Sequence, residues 1–167
     1  MTSFFLTGDL HCGKSTVVDK VLALSGRRVG GFRTAFGPDR ALPNRQLYLY
    51  PAGGTALTDA AHVVAQYAED RPLPRPEVFD GLGVACLTEG RPQLLIMDEC
   101  GRLERDAPLV QAAILKALDG EIPVLGVLRQ GFPGWTKQIA AHPKVRVIEV
   151  TAANRDELPA WLVAQLG

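Results

Sequence analysis

Apolar positions along the chain follow two rhythms. Short unbroken apolar runs occur at Ser3 to Thr7 (Ser-Phe-Phe-Leu-Thr), Gln93 to Met97, Pro123 to Leu128 and Val145 to Val150. Runs that are apolar at every position, rather than every second one, suit strands of a parallel sheet buried on both faces. Between them lie stretches with helical spacing. Thr16 to Leu24 carries Val17, Val18, Val21, Leu22 and Leu24, and Glu77 to Leu87, Pro108 to Leu118 and Asn154 to Leu166 follow suit. A shorter helix is expected over Gly134 to Ala141, and Asp106 is placed to cap the helix that starts at Pro108. The second half therefore alternates strand and helix, which predicts an α/β fold: a three-layer αβα arrangement around a mostly parallel sheet.

The first half is less regular. Arg28 to Thr34 reads as a second strand, and Arg45 to Tyr50 as a short strand suited to an antiparallel edge. Gly37 to Asn44 and Pro51 to Gly54 are turns by composition. Thr58 to Ala68 has the pattern of a helix starting at Thr58 or Asp59. Asp70 to Pro76 contains three prolines and is expected to be irregular, since each removes a donor and restricts its predecessor.

The 167 residues fit a single domain spanning 1–167. Hydrophobic residues make up 47% and charged ones 22%, as in a globular chain with a core of its own. A net charge of +0 leaves no electrostatic footprint for nucleic acid or an anionic membrane. Cys12, Cys86 and Cys100 form neither a C-x-x-C pair nor a disulfide framework, so a reduced cytoplasmic setting is expected. No signal peptide is expected, since a basic n-region and an apolar h-region are lacking before the first motif, and no apolar run is long enough to span a bilayer. His11, His62 and His142 lack metal-ligand spacing, and Trp135 and Trp161 read as packing anchors.

The candidate chemistry begins directly after the first strand. Gly8-Asp9-Leu10-His11-Cys12-Gly13-Lys14-Ser15 matches G-x-x-x-x-G-K-S, the phosphate-binding loop, and Thr16 continues into a helix. Strand, loop, helix is the order this motif requires. Its glycines allow backbone amides to converge on phosphates, and the helix start adds unpaired amides and a positive dipole end. Lys14 is the expected point charge on the β- and γ-phosphates, and Ser15 the hydroxyl ligand of Mg²⁺. Cys12 stands near a helix N-terminus, a setting that raises thiol reactivity.

A second site follows the strand at Gln93 to Met97, which ends in Asp98 and Glu99, the pattern of a Walker B strand. Asp98 would hold the Mg²⁺ shell, and Glu99 would orient or deprotonate the attacking water. Neighbouring side chains on a strand point opposite ways, so both acids can face one ligand only if the backbone turns there. Gly101 makes such a turn cheap.

These residues resemble a known family, the small P-loop nucleoside-triphosphatases of the THEP type, also called cancer-related nucleoside-triphosphatases. The likeness covers the phosphate loop and Gly31-Phe-Arg-Thr34, similar to the family's Gly-Phe-x-Thr. It includes Val78-Phe79-Asp80, similar to a Phe-Glu pair. Asp98-Glu-Cys-Gly-Arg-Leu-Glu104 resembles Asp-Glu-Ile-Gly-Lys-Met-Glu, and Thr151-Ala-Ala-Asn-Arg-Asp156 the Thr-x-x-Asn-Arg-Asp ending. The resemblance implies slow Mg²⁺-dependent hydrolysis of nucleoside triphosphates to diphosphate and phosphate, with broad base tolerance. Leu10, His11 and Cys12 depart from the family's extra Gly and Pro in the loop, and its Gly-x-Tyr-x-Val element is not visible.

Other residues extend this picture. Asn154 to Glu157 reads foremost as a capping box, with Asn154 as N-cap and Glu157 three residues on, and is also a near miss for the guanine-reading Asn-Lys-x-Asp. Arg155 beside it is a candidate to lie flat on a base. Arg102, Arg105 and Arg129 are candidates to neutralise transition-state charge, Arg129 being best placed because it follows a core strand. Arg33 and Arg40 are candidates for binding a second substrate. Three functions remain open at this stage: a nucleoside-triphosphate hydrolase, a small-molecule or nucleotide kinase with an acceptor pocket in 35–76, and a nucleotide-dependent switch.

Overall fold

A computed structural model describes residues 1–132 and 134–167. One eight-stranded sheet runs through it in the order β5-β4-β3-β2-β6-β7-β1-β8. The strands are β1 (Ser3–Thr7), β2 (Val29–Phe36), β3 (Arg45–Pro51), β4 (Val63–Ala68), β5 (Arg71–Pro74), β6 (Leu94–Cys100), β7 (Val124–Leu128) and β8 (Val145–Glu149). β2, β6, β7, β1 and β8 pair in parallel, whereas β2–β3, β3–β4 and β4–β5 are antiparallel.

Helices cover both faces. On one, α1 (Lys14–Ser25) and α6 (Leu158–Gln165) pack Val17, Val18, Val21, Leu158 and Leu162 against Phe4, Leu6, Ile96 and Leu125. On the other, α4 (Pro108–Asp119), the helical run over 76–88 and α5 (Lys137–Ala140) bury Val110, Ile114, Phe79, Leu87 and Ile139 against Phe5, Phe32, Leu49 and Met97. β1 shows the division in its own alternation, since Phe4 and Leu6 serve one core and Phe5 the other. The αβα architecture read from the pattern is thus the one observed, with helices flanking a mostly parallel sheet.

Several local expectations need correction. The antiparallel part comprises three strands, not one short edge. The expected helix over Thr58 to Ala68 is a single 3₁₀ turn, Ala60–His62, followed by β4. Asp59 does cap, accepting from the Ala61 amide at 3.0 Å, but Val63 and Ala65 then pair with β3 instead of coiling, with Val64 between them at a shift in register. The proline-rich stretch expected to be irregular contains β5. Its prolines are tolerated because β5 is the outermost strand, where no further ladder needs their missing donors.

The helix expected over Glu77 to Leu87 exists as α2 (Pro76–Val78), a wider π turn at Phe79–Gly83, and α3 (Val84–Thr88). Asp106 does not cap α4. Its carboxylate lies 3.6 Å from Arg105 Nε, and the Val110 amide instead donates to Asp80 Oδ1 at 2.9 Å, from the π turn. Asn154 and Glu157 form no capping box. Asn154 accepts from the Thr151 amide at 2.9 Å and donates to the Glu149 carbonyl at 2.8 Å, bracing the loop between β8 and α6.

Candidate active site

Because β1, β2, β6, β7 and β8 run parallel, their carboxyl ends share one edge, where ligands of open α/β sheets bind. The loop between β1 and α1 lies there. Gly8 has φ 142°, and a Cβ on it would lie 2.8 Å from the Val150 carbonyl oxygen and 2.9 Å from Cys12 Sγ, so only glycine fits. His11 takes a left-handed φ of 60° in the stretch where the sequence lacks the extra glycine. α1 has no side-chain cap. The first helical bond is Val17 N–H to the Gly13 carbonyl at 2.9 Å, and the amides of Lys14, Ser15 and Thr16 have no acceptor among the described residues. Three donors without partners at a positive dipole end have the character of helix starts that receive anions.

Lys14 folds back into this loop. Its Nζ donates to the Gly8 carbonyl at 2.7 Å and the Asp9 carbonyl at 3.0 Å, with Cys12 Sγ at 3.8 Å. The cradle is therefore filled by the chain's own ammonium. A groove of about 730 Å³ lies elsewhere, among Arg27, Arg28, Val29, Gly53, Arg91 and Pro92 at the amino ends of β2 and β6. None of the phosphate-loop residues Gly8 to Thr16, nor Asp98 or Glu99, lines it. Arg155 does reach the loop, because a Cβ on Gly13 would lie 3.5 Å from Arg155 Cδ.

Asp98 and Glu99 end β6, two strands from β1 with β7 between. The register against β7 slips between Asp98 and Cys100, leaving Glu99 as the unpaired residue of a bulge. A bulge re-aims a side chain, so the turn needed for both acids to face one side occurs at Glu99 itself, ahead of Gly101. The Asp98–Glu99 peptide bond is cis. Asp98 is buried, at 6% exposure, and Arg33 Nη2 lies 3.0 Å from its Oδ2. Burial lifts this carboxyl and Arg33 opposes the shift. Glu99 is also raised by burial, against the pull of Arg129, whose Nη1 lies 3.6 Å from Glu99 Oε1.

The loop after these acids is fixed from below. Glu104 is buried and accepts from the Gly101 amide, and Trp135 Nε1 donates to the Gly101 carbonyl at 2.9 Å. Burial pushes the Glu104 carboxyl up to about 8.

Of the three candidate arginines, Arg129 stands at Glu99, while Arg105 pairs with its neighbour Asp106 and Arg102 makes no ion pair among the described residues. Arg33 is not available to a second substrate, because its donors are taken by Asp98 and Asp19. Arg40 is exposed and has no ion-pair partner among the described residues. His62 and His142 are bonded to Asp59 and Asp119, consistent with structural roles. Trp161 packs edge-on against Phe4.

Two residues at this edge escaped the sequence reading. Asp19 reaches Arg33 from α1, and its only sequence signal is its position one helical turn after Ser15. Tyr67 on β4 is raised by burial and feels the charges of Arg129 and Glu99. The helical pattern of Thr58 to Ala68 masks it in the sequence.

The profile of a family described as NTPase matches residues 3–163. The chain belongs to this NTPase family. Curated relatives agree along the whole length. The nucleoside-triphosphatase THEP1 of Thermofilum pendens is 29% identical, over 98% of this chain and 94% of its own. That of Natranaerobius thermophilus is 26% identical, over 99% and 96%. Among solved structures, THEP1 from Aquifex aeolicus superposes with a TM-score of 0.74 at 21% identity, covering 99% of both chains. A human cancer-related nucleoside triphosphatase superposes at 0.75 with 23% identity, covering 99% of this chain and 97% of its own. At that identity the structures speak for the fold. No helix among the described residues is long and apolar enough to cross a membrane.

Proposed function

We propose that the chain hydrolyses nucleoside triphosphates to diphosphate and phosphate at the carboxyl edge of its sheet, with Mg²⁺ and with broad tolerance of the base. Membership of the NTPase family and the THEP1 relatives support the reaction class. The observation that carries the site is the start of α1. Three amides without acceptors and a lysine turned into its own loop face the same sheet edge as Glu99 and Arg129.

The residues divide the work as follows. The amides of Gly13, Lys14, Ser15 and Thr16, with the loop from Gly8 through Cys12, receive the phosphates. Lys14 exchanges its two carbonyl partners for phosphate oxygens, a charge-assisted and stronger contact. Glu99, lifted by burial, orients the attacking water and takes its proton. Arg129 leaves a half-exposed pair with Glu99 to neutralise charge that develops in the transition state between the terminal phosphoryl group and the departing diphosphate. Arg155, against Gly13, presents a flat guanidinium; stacking without edge contacts discriminates little between ATP, GTP and other triphosphates.

Among the described residues no cluster of three or more His, Cys, Asp and Glu side chains gathers for a metal. The donors at hand are one hydroxyl, Ser15, and one carboxylate, Asp98. That sparse oxygen set fits Mg²⁺, which is held by one or two protein oxygens together with substrate phosphates and water. When bound with nucleotide it supplies charge neutralisation on the phosphates. A cytoplasmic location belongs to the same reading, supported by three free thiols.

The test is phosphate release from each of the four common triphosphates, with Mg²⁺ and with EDTA, and no added acceptor. Release from all four that EDTA abolishes supports hydrolysis. Release only with a hydroxyl acceptor, which then carries the phosphate, would make the chain a kinase instead.

A further inference from the structure

Arg33 occupies the β2 position in register with Asp98 of β6. Its guanidinium is used on every nitrogen. Nε donates to Asp98 Oδ2 at 3.1 Å and Nη2 lies 3.0 Å from the same oxygen. Nη1 donates to Asp19 Oδ1 on α1 at 2.5 Å, and Nη2 reaches the Ser15 carbonyl at 3.5 Å. The next residue, Thr34, donates through Oγ1 to the main-chain carbonyl of Asp98 at 3.3 Å. Two consecutive residues thus hold Asp98 at its carboxylate and at its backbone.

This grip depends on how closely β2 approaches β6. Gly31 has φ 87°, and a Cβ there would lie 2.0 Å from the Ile96 carbonyl oxygen. No other residue allows that approach, so Gly31, Arg33 and Thr34 act as one unit on the end of β6. Both Arg33 bonds fall on Oδ2, and Oδ1 accepts no hydrogen bond among the described residues. The guanidinium is a rigid planar fork whose two donors converge on Oδ2, so it anchors that oxygen and its charge. The Arg33 and Asp98 side chains are 12% and 8% exposed, which removes most solvent screening from the pair.

We infer that Arg33 is a positioning residue for the metal–nucleotide site: it holds Asp98 in one orientation with Oδ1 free, and ties it through Asp19 to the helix whose first turn receives the phosphates. The inference rests on reading Asp98 as the metal-holding carboxylate. Partners that orient a metal-holding side chain typically carry 10- to 100-fold of metal affinity. Lysine, a point charge on a flexible stem, keeps the cation but cannot bridge Asp98, Asp19 and the Ser15 carbonyl at once.

The experiment measures Mn²⁺ binding by electron paramagnetic resonance, with a non-hydrolysable triphosphate analogue present, and analogue binding separately in EDTA. Arg33→Gln is expected to weaken Mn²⁺ binding about 10- to 100-fold while changing analogue binding in EDTA by less than about 3-fold. Arg33→Lys should recover part of the loss, and Asp19→Asn should show a smaller loss of the same sign. If Arg33→Gln fails to fold by circular dichroism, Arg33→Lys and Asp19→Asn decide the matter: weaker Mn²⁺ binding in both supports the inference, and unchanged binding in both overturns it. Asp98→Asn separates the two levels. Lost Mn²⁺ binding in Asp98→Asn but parental binding in folded Arg33→Gln overturns the role of Arg33 alone. Parental binding in Asp98→Asn overturns the reading of Asp98, and the inference with it.

Discussion

Arg129 and Glu99 face each other at the carboxyl edge of the sheet, with Nη1 and Oε1 3.6 Å apart. The contact is long, and the arginine side chain is 54% exposed, so little free energy holds the pair together. Glu99 stands on a bulge and Arg129 directly after β7, its amide bonded to the Cys100 carbonyl at 2.9 Å. Anchored backbones and loosely paired side chains leave both free to turn to a ligand. Glu99→Gln should lower kcat by about 100-fold or more while analogue affinity stays within a few-fold. Arg129→Ala should lower kcat by about 100-fold with a smaller change in KM. Steady-state phosphate release and equilibrium binding check both, and a Glu99→Gln variant at the parental rate would remove Glu99 as the water-handling group.

Lys14 already sits where the loop closes, on the Gly8 and Asp9 carbonyls. On the proposed function, replacing it by alanine removes one charge-assisted contact in both the bound and the reacting state. Lys14→Ala should weaken triphosphate binding about 10- to 100-fold and reduce turnover as well. Calorimetric titration with an analogue reads the first, and unchanged affinity would contradict the cradle.

Glu104 gives the chain a pH-dependent stability. Its carboxyl is pushed up to about 8 in the folded chain, against an ordinary 4.5. Between those values the folded state holds a proton that the unfolded state has released. Stability from this group is therefore full below about pH 4.5 and declines as pH rises toward 8. Glu104→Gln can still accept from the Gly101 amide and has no charge to bury. Scanning calorimetry from pH 5 to 9 should show the variant gaining melting temperature on the parent as pH rises. Parallel curves would contradict the buried neutral acid.

Asp80 caps α4 across 30 residues of sequence. Asp80→Ala should cost about 1 kcal/mol in denaturant unfolding, while Asp106→Ala, whose carboxylate faces solvent beside Arg105, should cost little.

The parts legible in the sequence were those with local causes. Continuous apolar runs marked β1, β6, β7 and β8, and helical spacing marked α1, α4 and α6. Lys14, Ser15, Asp98 and Glu99 carried their motif with them. The failures were tertiary. Ala60 to Ala68 has helix-favouring alanines, but its β-branched Val63 pairs with Tyr48 of β3 once that edge exists, and the Val64 carbonyl accepts from the Arg75 amide on the other side. Pro72 and Pro74 argue against a strand in general, yet an outermost strand has a free side. The Asp98 partner was invisible because Arg33 and Asp98 are 65 residues apart, and only the parallel register of β2 on β6 joins them. Likewise, Asp106 offered a local cap that Asp80 supplies from a distance.

The central claim is that a triphosphate docks on the first turn of α1, between Lys14 and the two acids that end β6. A crystal structure of the chain with Mg²⁺ and a non-hydrolysable triphosphate analogue tests it most directly. The account predicts terminal phosphate oxygens within hydrogen-bond distance of Lys14 Nζ and of the amides of Lys14, Ser15 and Thr16, with Glu99 facing the terminal phosphorus. Phosphate density in the groove of Arg27, Arg28 and Arg91 at the opposite edge, with Lys14 still bonded to Gly8 and Asp9, would contradict it.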